Sequence, residues 1–482
     1  MEYLNIQPLD FTKARILFAA YFLFPPVAGF IMAKFRWMQK ATFLVMCLLI
    51  MSGLFHAQDW GLTIHPVLYR GHARGFHFYW PEVFALALIW ATMLGDWKRF
   101  RFFPPGFWLY IIYCSVSLIS IINAPVPLYS LFSAFKAFKI VVIFVATYNF
   151  IKNEDDIRYV LICLGIFMLW QLVAVLNQKY VLGIYQVWGT FEHQNSLCMF
   201  TIMIGMLFLA VAMGPRRKSS AFFLFLFVAC AAIVQSTLSR AGLFIFAAGA
   251  VFVVFASLLD KVTRRRLGVL STLGCIGVVG LAMTVDTIVA RFQDYGNDES
   301  RRTREHLNIS ARMMLNEYPL GIGWNNFGVT INFPYHYSEH IDDWHRQNGN
   351  TVDRDYQKGI VESLWWLLLS ETGYQGFISY LVIVVVFMWW NLRNAFYFRK
   401  KYLGAVSIGI FVGFTMNYLQ SFLERVLTQP RNMMLWFILM AITARIMMWR
   451  KADKQRRKRE ARERIGQVPH ERRIEMNEPV AV

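Results

Sequence analysis

LCMFTIMIGMLFLAVAM, residues 197–213, followed at once by Gly214-Pro215-Arg216-Arg217-Lys218, decides the fold class. The run holds no charged side chain, and crossing a bilayer's hydrocarbon core takes roughly 20 apolar residues. The basic cluster behind it is what positive-inside bias places in a cytoplasmic loop. The same unit, an apolar run closed by Lys and Arg, recurs along the chain. Of 482 residues 57% are hydrophobic and 16% charged, whereas soluble domains keep about a quarter of their residues charged. That excludes a soluble enzyme with one globular core, a secreted disulfide scaffold and a one-helix receptor. The net charge of +19 is then a matter of topology, and no nucleic acid is needed to explain it.

Working outward, the candidate spans are Ile16–Met32, Ala41–Phe55, Val83–Leu94, Phe107–Ile122, Phe138–Phe150, Ile157–Leu176, Leu197–Met213, Phe222–Val234, Ala241–Leu259, Leu267–Val285, Phe377–Trp390, Gly404–Tyr418 and Met433–Ile442. Backbone groups in hydrocarbon need internal partners, and the runs lack the alternation of barrel strands, so they read as helices. The expected fold is an all-α polytopic membrane protein with about 12–13 transmembrane helices. The divisions are 1–185 (N-terminal helices), 186–285 (central helices), 286–362 (a long outer, periplasmic loop), 363–449 (C-terminal helices) and 450–482 (a basic cytoplasmic tail). No cleavable signal is evident, since the first run lacks a small-residue cleavage site and is followed by Lys34, Arg36 and Lys40. The six cysteines fall inside apolar runs without a close pair and read as packing residues.

The clusters Lys98/Arg99/Arg101, Arg216/Arg217/Lys218, Lys261/Arg264/Arg265/Arg266, Arg393/Arg399/Lys400/Lys401 and the tail from Arg450 should share the cytoplasmic side. The other face then collects His56–Trp80 with Arg70 and Arg74, the stretch Glu192-His193-Gln194-Asn195, the Ser239-Arg240 turn, residues 286–361 and Glu424-Arg425. Arginines that persist on a face depleted of them are candidates for anion binding or for headgroup anchoring.

Arg240 opens an apolar run at an almost loopless turn, where a partly dehydrated guanidinium needs an anion such as a diphosphate. In the outer segment, Leu307, Ala311, Met314 and Leu315 mark one side of an amphipathic helix at the membrane surface. Arg304, Asn308 and Arg312 recur along another stripe of it. The helix ends at Tyr318-Pro319-Leu320-Gly321-Ile322-Gly323. Beyond the loop, Glu362 and Glu371 are expected on nearly one side of a Trp-rich helix, where a carboxylate is costly unless paired.

Taken together, Gly189-x-Phe191-x-x-x-Asn195, Ser239-Arg240, Arg304 before Pro319-Leu320-Gly321-Ile322-Gly323, the late outer loop and Glu371-Thr372-Gly373-x-x-Gly376 resemble the bacterial O-antigen ligase and O-antigen polymerase superfamily. The resemblance covers residues 185–390; the part before it matches only as a run of membrane helices. It implies a GT-C-like, metal-independent glycosyltransferase of the cell inner membrane, with no cofactor. Such an enzyme moves a glycan from a polyprenyl (undecaprenyl) diphosphate carrier to an acceptor sugar, lipid A core or a growing chain, in surface polysaccharide biosynthesis, including lipopolysaccharide. Arg240, Arg304 and Glu362 are the expected catalytic residues, with Asn195, Arg312, His193, Arg70 and Arg74 binding substrate.

One departure matters. Where relatives carry a His-Asn pair eleven residues before the Gly that is Gly373 here, this chain has Glu362-Ser363, so Glu362 becomes the positional substitute for the base. Loop histidines His336, His340 and His345 are spare candidates. The rival class is a transporter or flippase of the same lipid-linked oligosaccharide, which requires a polar pathway reaching the cytoplasmic half.

Overall fold

The computed structural model describes residues 15, 19–51, 69–215, 220–259, 262–293, 297–349, 351–352 and 357–466. The Arg216/Arg217/Lys218 cluster, Lys261, residues 56–68 of the outer stretch and the tail beyond Gly466 lie outside them. Among the described residues the chain is helical, without an extended strand. Eight helices among them are long and apolar enough to cross a membrane: Pro127–Phe150, Glu154–Val181, Gln194–Met213, Ser220–Thr237, Arg240–Leu258, Leu364–Tyr397, Tyr402–Gln420 and Pro430–Glu463. Ala19–Ala33, Trp80–Gly95 and Phe107–Asn123 are shorter apolar helices. The remaining two segments expected to span fall on Arg36–Met51 and Arg264–Gln293. This is a polytopic membrane architecture.

The Gln194–Met213 helix is apolar on every side because it is the centre of the bundle. Its whole apolar stretch is buried, against the helices Ser220–Thr237, Arg240–Leu258 and Tyr402–Gln420. A helix hydrophobic all round has no solvent face to offer, and here packing accounts for the composition. The fifth segment differs from its expected bounds. Its helical stretch begins at Pro127 rather than Phe138, since Pro suits a helix start, and this draws Lys136 into the bundle beside Lys139.

Within residues 286–362 the described residues are largely helical. The preceding helix runs on to Gln293, Asn297–Glu317 forms the amphipathic helix, and Glu339–Gln347 adds a third. Leu307, Ala311 and Met314 meet Ile322, Phe327, Ile331, Tyr337 and Ile341 in a separate small core.

This unit is fastened to the bundle through a break in a helix. Within Leu364–Tyr397, Gly373 leaves the helical region at φ 67°, ψ −173°. The groups freed there are taken up by the 318–323 turn: Ile322 N donates to Ser370 O at 2.9 Å, Tyr374 N to Pro319 O at 3.1 Å, and Gln375 Nε2 to Leu320 O at 2.7 Å. Such pairing is what lets a helix break persist in a buried place. Gly321 and Gly373 face each other across the contact, both at positive φ. A Cβ on either would fall inside the other segment's backbone, so Gly is required at both.

Candidate functional site

Two polar clusters form at the end of the bundle that carries this unit. The first draws on four segments far apart in sequence. Arg304, on the amphipathic helix, donates through Nε to Glu362 Oε2, and its Nη2 lies 3.4 Å from Glu424 Oε1. Glu424 belongs to the connection after Gln420, and its Oε1 also accepts from Asn195 Nδ2 in the first turn of the central helix. His193 caps that helix, its Nδ1 accepting from Asn195 N at 3.2 Å, so the ring proton sits on Nε2.

The cluster is open to solvent in a graded way. The side chains of Arg304 and Glu362 are 35% and 41% exposed, and that of Glu424 13%. Burial, with Glu362 nearby, pushes the Glu424 carboxyl up to about 8, against the opposing pull of Arg304, Arg425 and the Asn195 hydrogen bond. Burial also lowers the His193 imidazole; Glu362 opposes this while Arg304 and Arg425 add to it. These are the pulls that set a proton-transfer group's working range.

The second cluster is closed. His72 Nε2 lies 3.0 Å from Glu371 Oε2, and Lys136 Nζ donates to His72 Nδ1 at 3.2 Å, His72 O at 3.2 Å and Thr428 O at 3.1 Å. Phe327 N donates to the other Glu371 oxygen at 3.2 Å. His72 and Glu371 side chains are only 4% and 3% exposed. Asn325 holds the segment in place: its Oδ1 accepts from His72 N and Ala73 N, and its Nδ2 donates to Ala73 O and Tyr129 O. Beside this cluster lies a cavity of about 50 Å³ walled by Tyr110, Tyr113, Trp324, Tyr380 and Trp436, room for a few waters. Arg425 stands within electrostatic reach of both clusters, interacting with Glu362, Glu371 and Glu424.

The expected site residues are distributed as follows. Arg304, Glu362, Asn195 and His193 come together. Arg240 is half-buried at the first position of its helix, behind the Ser239 cap; Gly242, two residues on, packs against Cys198, one turn beyond Asn195. Arg312 lies over the Trp366 ring at 5.0 Å. Arg70 is exposed and Arg74 half-buried, on either side of the inward His72. Glu362 and Glu371 do not share a helix as expected: Glu362 precedes the Ser363 cap, and the nine-residue spacing separates the two clusters. His336 pairs with Glu317 at 3.0 Å, His340 Nε2 donates to His306 O at 3.0 Å, and His345 packs on Trp344.

Two participants escape the sequence reading. Lys136 sits in LYSLFSAFKAFKI, where a lysine reads as the edge of a span. His72 lies between two arginines that draw attention outward. The one available signal for Lys136 is its spacing of three from Lys139, which puts both on one helix side. Among the described residues no group of three or more His, Cys, Asp or Glu side chains gathers as metal ligands do. No protein-family model matches the chain, and no curated protein matches it.

Proposed function

We propose that this protein is a bacterial inner-membrane glycosyltransferase of the O-antigen ligase or polymerase type, working on the periplasmic face without a metal. It takes a glycan from a polyprenyl diphosphate carrier and joins it to an acceptor sugar. The observation that carries this reading is the meeting of Arg304 with Glu362 and Glu424 at the end of the bundle opposite the basic clusters around Arg99, Arg266 and Lys401.

The chemistry follows from the charges. An acceptor hydroxyl oxygen bonds to the sugar C1 while the C1–O bond to phosphate breaks, and the electron pair leaves with the diphosphate. A guanidinium fixed at a half-buried mouth stabilises that growing charge without reorganising. Arg304 is bound to Glu362 through one edge and is partly exposed, so an arriving diphosphate can exchange with the carboxylate. Arg240 serves the same anion from the neighbouring helix end, while Arg312, Arg70 and Arg74 line the approach. The acceptor proton needs an oriented base.

The test is purified protein with a polyprenyl diphosphate oligosaccharide, with and without a lipid A core acceptor. Single addition to the core marks a ligase and a ladder marks a polymerase. Transfer in neither case counts against the reading.

A second reading has one observation in its favour. Glu82 and Lys139 form a buried ion pair at 2.5 Å inside the bundle, with Tyr21 donating to Glu82 at 2.8 Å, and intramembrane ion pairs often mark transport routes. A carrier for the same lipid-linked glycan would move labelled donor across proteoliposomes without forming a glycosidic bond.

A further inference from the structure

We infer that Glu424 is the proton acceptor of the transfer reaction, aimed by Asn195, and that Glu362 instead holds Arg304 until the donor arrives; this rests on the glycosyl-transfer reading above. Three observations carry it. First, only one oxygen of Glu424 is engaged: Oε1 takes both Asn195 Nδ2 and Arg304 Nη2, and among the described residues no donor reaches Oε2. The amide and the guanidinium thus hold Oε1, which leaves Oε2 as the oxygen for an acceptor hydroxyl. Second, Glu424 is three times less exposed than Glu362, 13% against 41%, so bulk water competes less for it. Third, among the described residues Glu362 is held by Arg304 alone, through Oε2, with no amide to orient it as Asn195 orients Glu424.

The step balances without a further reactant. The acceptor hydroxyl donates to Glu424 Oε2, and its proton passes there as oxygen bonds to C1. The C1–O bond to the phosphate breaks, its electron pair leaves on the diphosphate, and Arg304 meets that charge. The neutral Glu424 returns the proton to water. Its surroundings suit the task, since the best base has a pKa near the working pH and burial raises this carboxyl to about 8. The groups facing it are Glu362, Arg304 and Arg425, with Asn195 and Cys198 from the central helix.

The experiment compares Glu424→Gln, Glu362→Gln and Asn195→Ala in reconstituted protein, measuring transfer against pH alongside binding of the polyprenyl diphosphate donor. Wild-type transfer should rise with pH through about 8. Glu424→Gln should lose transfer by roughly a hundredfold or more, retain donor binding and lack that limb. Asn195→Ala should keep the limb but move it upward, because a hydrogen bond that favours the charged form is gone, a shift that a purely structural role would not produce. Glu362→Gln should keep the limb but move it downward, because a neighbouring negative charge that raises the Glu424 carboxyl is gone. Infrared titration supplies a readout independent of turnover and of the variants' folding: a protonated carboxyl band in the wild type that disappears near pH 8. Near-full activity in Glu424→Gln, or no such band, overturns the proposal while the transferase reading stands. An inert wild type overturns both.

Discussion

The two clusters at the same end of the bundle are built from similar side chains and differ in how completely they are satisfied. Around His72, Glu371 and Lys136, the Lys136 ammonium has three acceptors, both carboxylate oxygens have donors and both ring nitrogens have partners. Around Arg304, one arginine is shared between two carboxylates, one oxygen of Glu424 has no donor among the described residues, and more than a third of Glu362 faces water. A fully paired buried network has nothing to give a ligand without losing the fold, whereas a shared, half-open one can exchange partners. We therefore assign structure to the first and chemistry to the second.

The strongest way to break this comparison is Glu371→Ala. Removing one partner of a buried network leaves the others uncompensated and should cost about 3–5 kcal/mol, read as a loss of thermal stability in detergent. Unchanged melting would mean the closed cluster is not a lock. Next comes Arg304→Ala, for which we expect transfer to fall about 10²–10³-fold, the scale on which loss of one charge-stabilising donor acts. Arg304→Lys should restore little of it, because a point charge cannot reproduce the two-edged contact with Glu362 and Glu424. Equal activity in the lysine variant would reduce Arg304 to generic charge.

A smaller effect is expected at Arg312, whose guanidinium lies over Trp366. Arg312→Ala should weaken donor binding or local packing by about 0.5–1 kcal/mol, the range of an accessible cation–π contact. A loss as large as that at Arg304 would move the diphosphate along the helix stripe.

The smallest expected effect comes from pH. Burial holds His72 below the ordinary 6.5, with Lys136 and Arg425 adding to this and Glu371 opposing. The folded state thus binds fewer protons than the unfolded one just below 6.5. Stability from this group is complete above 6.5 and is lost as pH falls toward the folded value. Protection against hydrogen exchange in residues 69–78, taken relative to the intrinsic rate at each pH, should fall on acidification through that window and should not in His72→Gln.

The difference between the clusters also explains what could be read in advance. Helical periodicity placed Leu307, Ala311, Met314 and Leu315 on one face of the outer helix, and all four are buried. Arg304 was legible because positive-inside bias makes an outer arginine conspicuous. The turn Pro319–Gly323 and the stretch Glu371–Gly376 were legible as motifs, though nothing in sequence says that one fills the helix break in the other. Periodicity misassigned Glu362 because Ser363, a helix cap, ends the pattern one residue after it. The closed cluster stayed hidden because its parts, His72, Lys136 and Glu371, look like an ordinary loop residue, a span edge and a helix entrance. Only the tertiary contacts through Asn325 and Phe327 bring them together.

The most direct test of the account is a single preparation of Arg304→Ala in lipid nanodiscs, assayed for glycan transfer from a polyprenyl diphosphate donor and for thermal melting. It removes the pair with Glu362, in which both side chains are a third or more exposed, and the 3.4 Å contact with the more buried Glu424; exposed pairs contribute only about 0–1 kcal/mol. We predict transfer lost with melting close to wild type. Transfer retained, or lost only in step with unfolding, would contradict the assignment of chemistry to the open cluster.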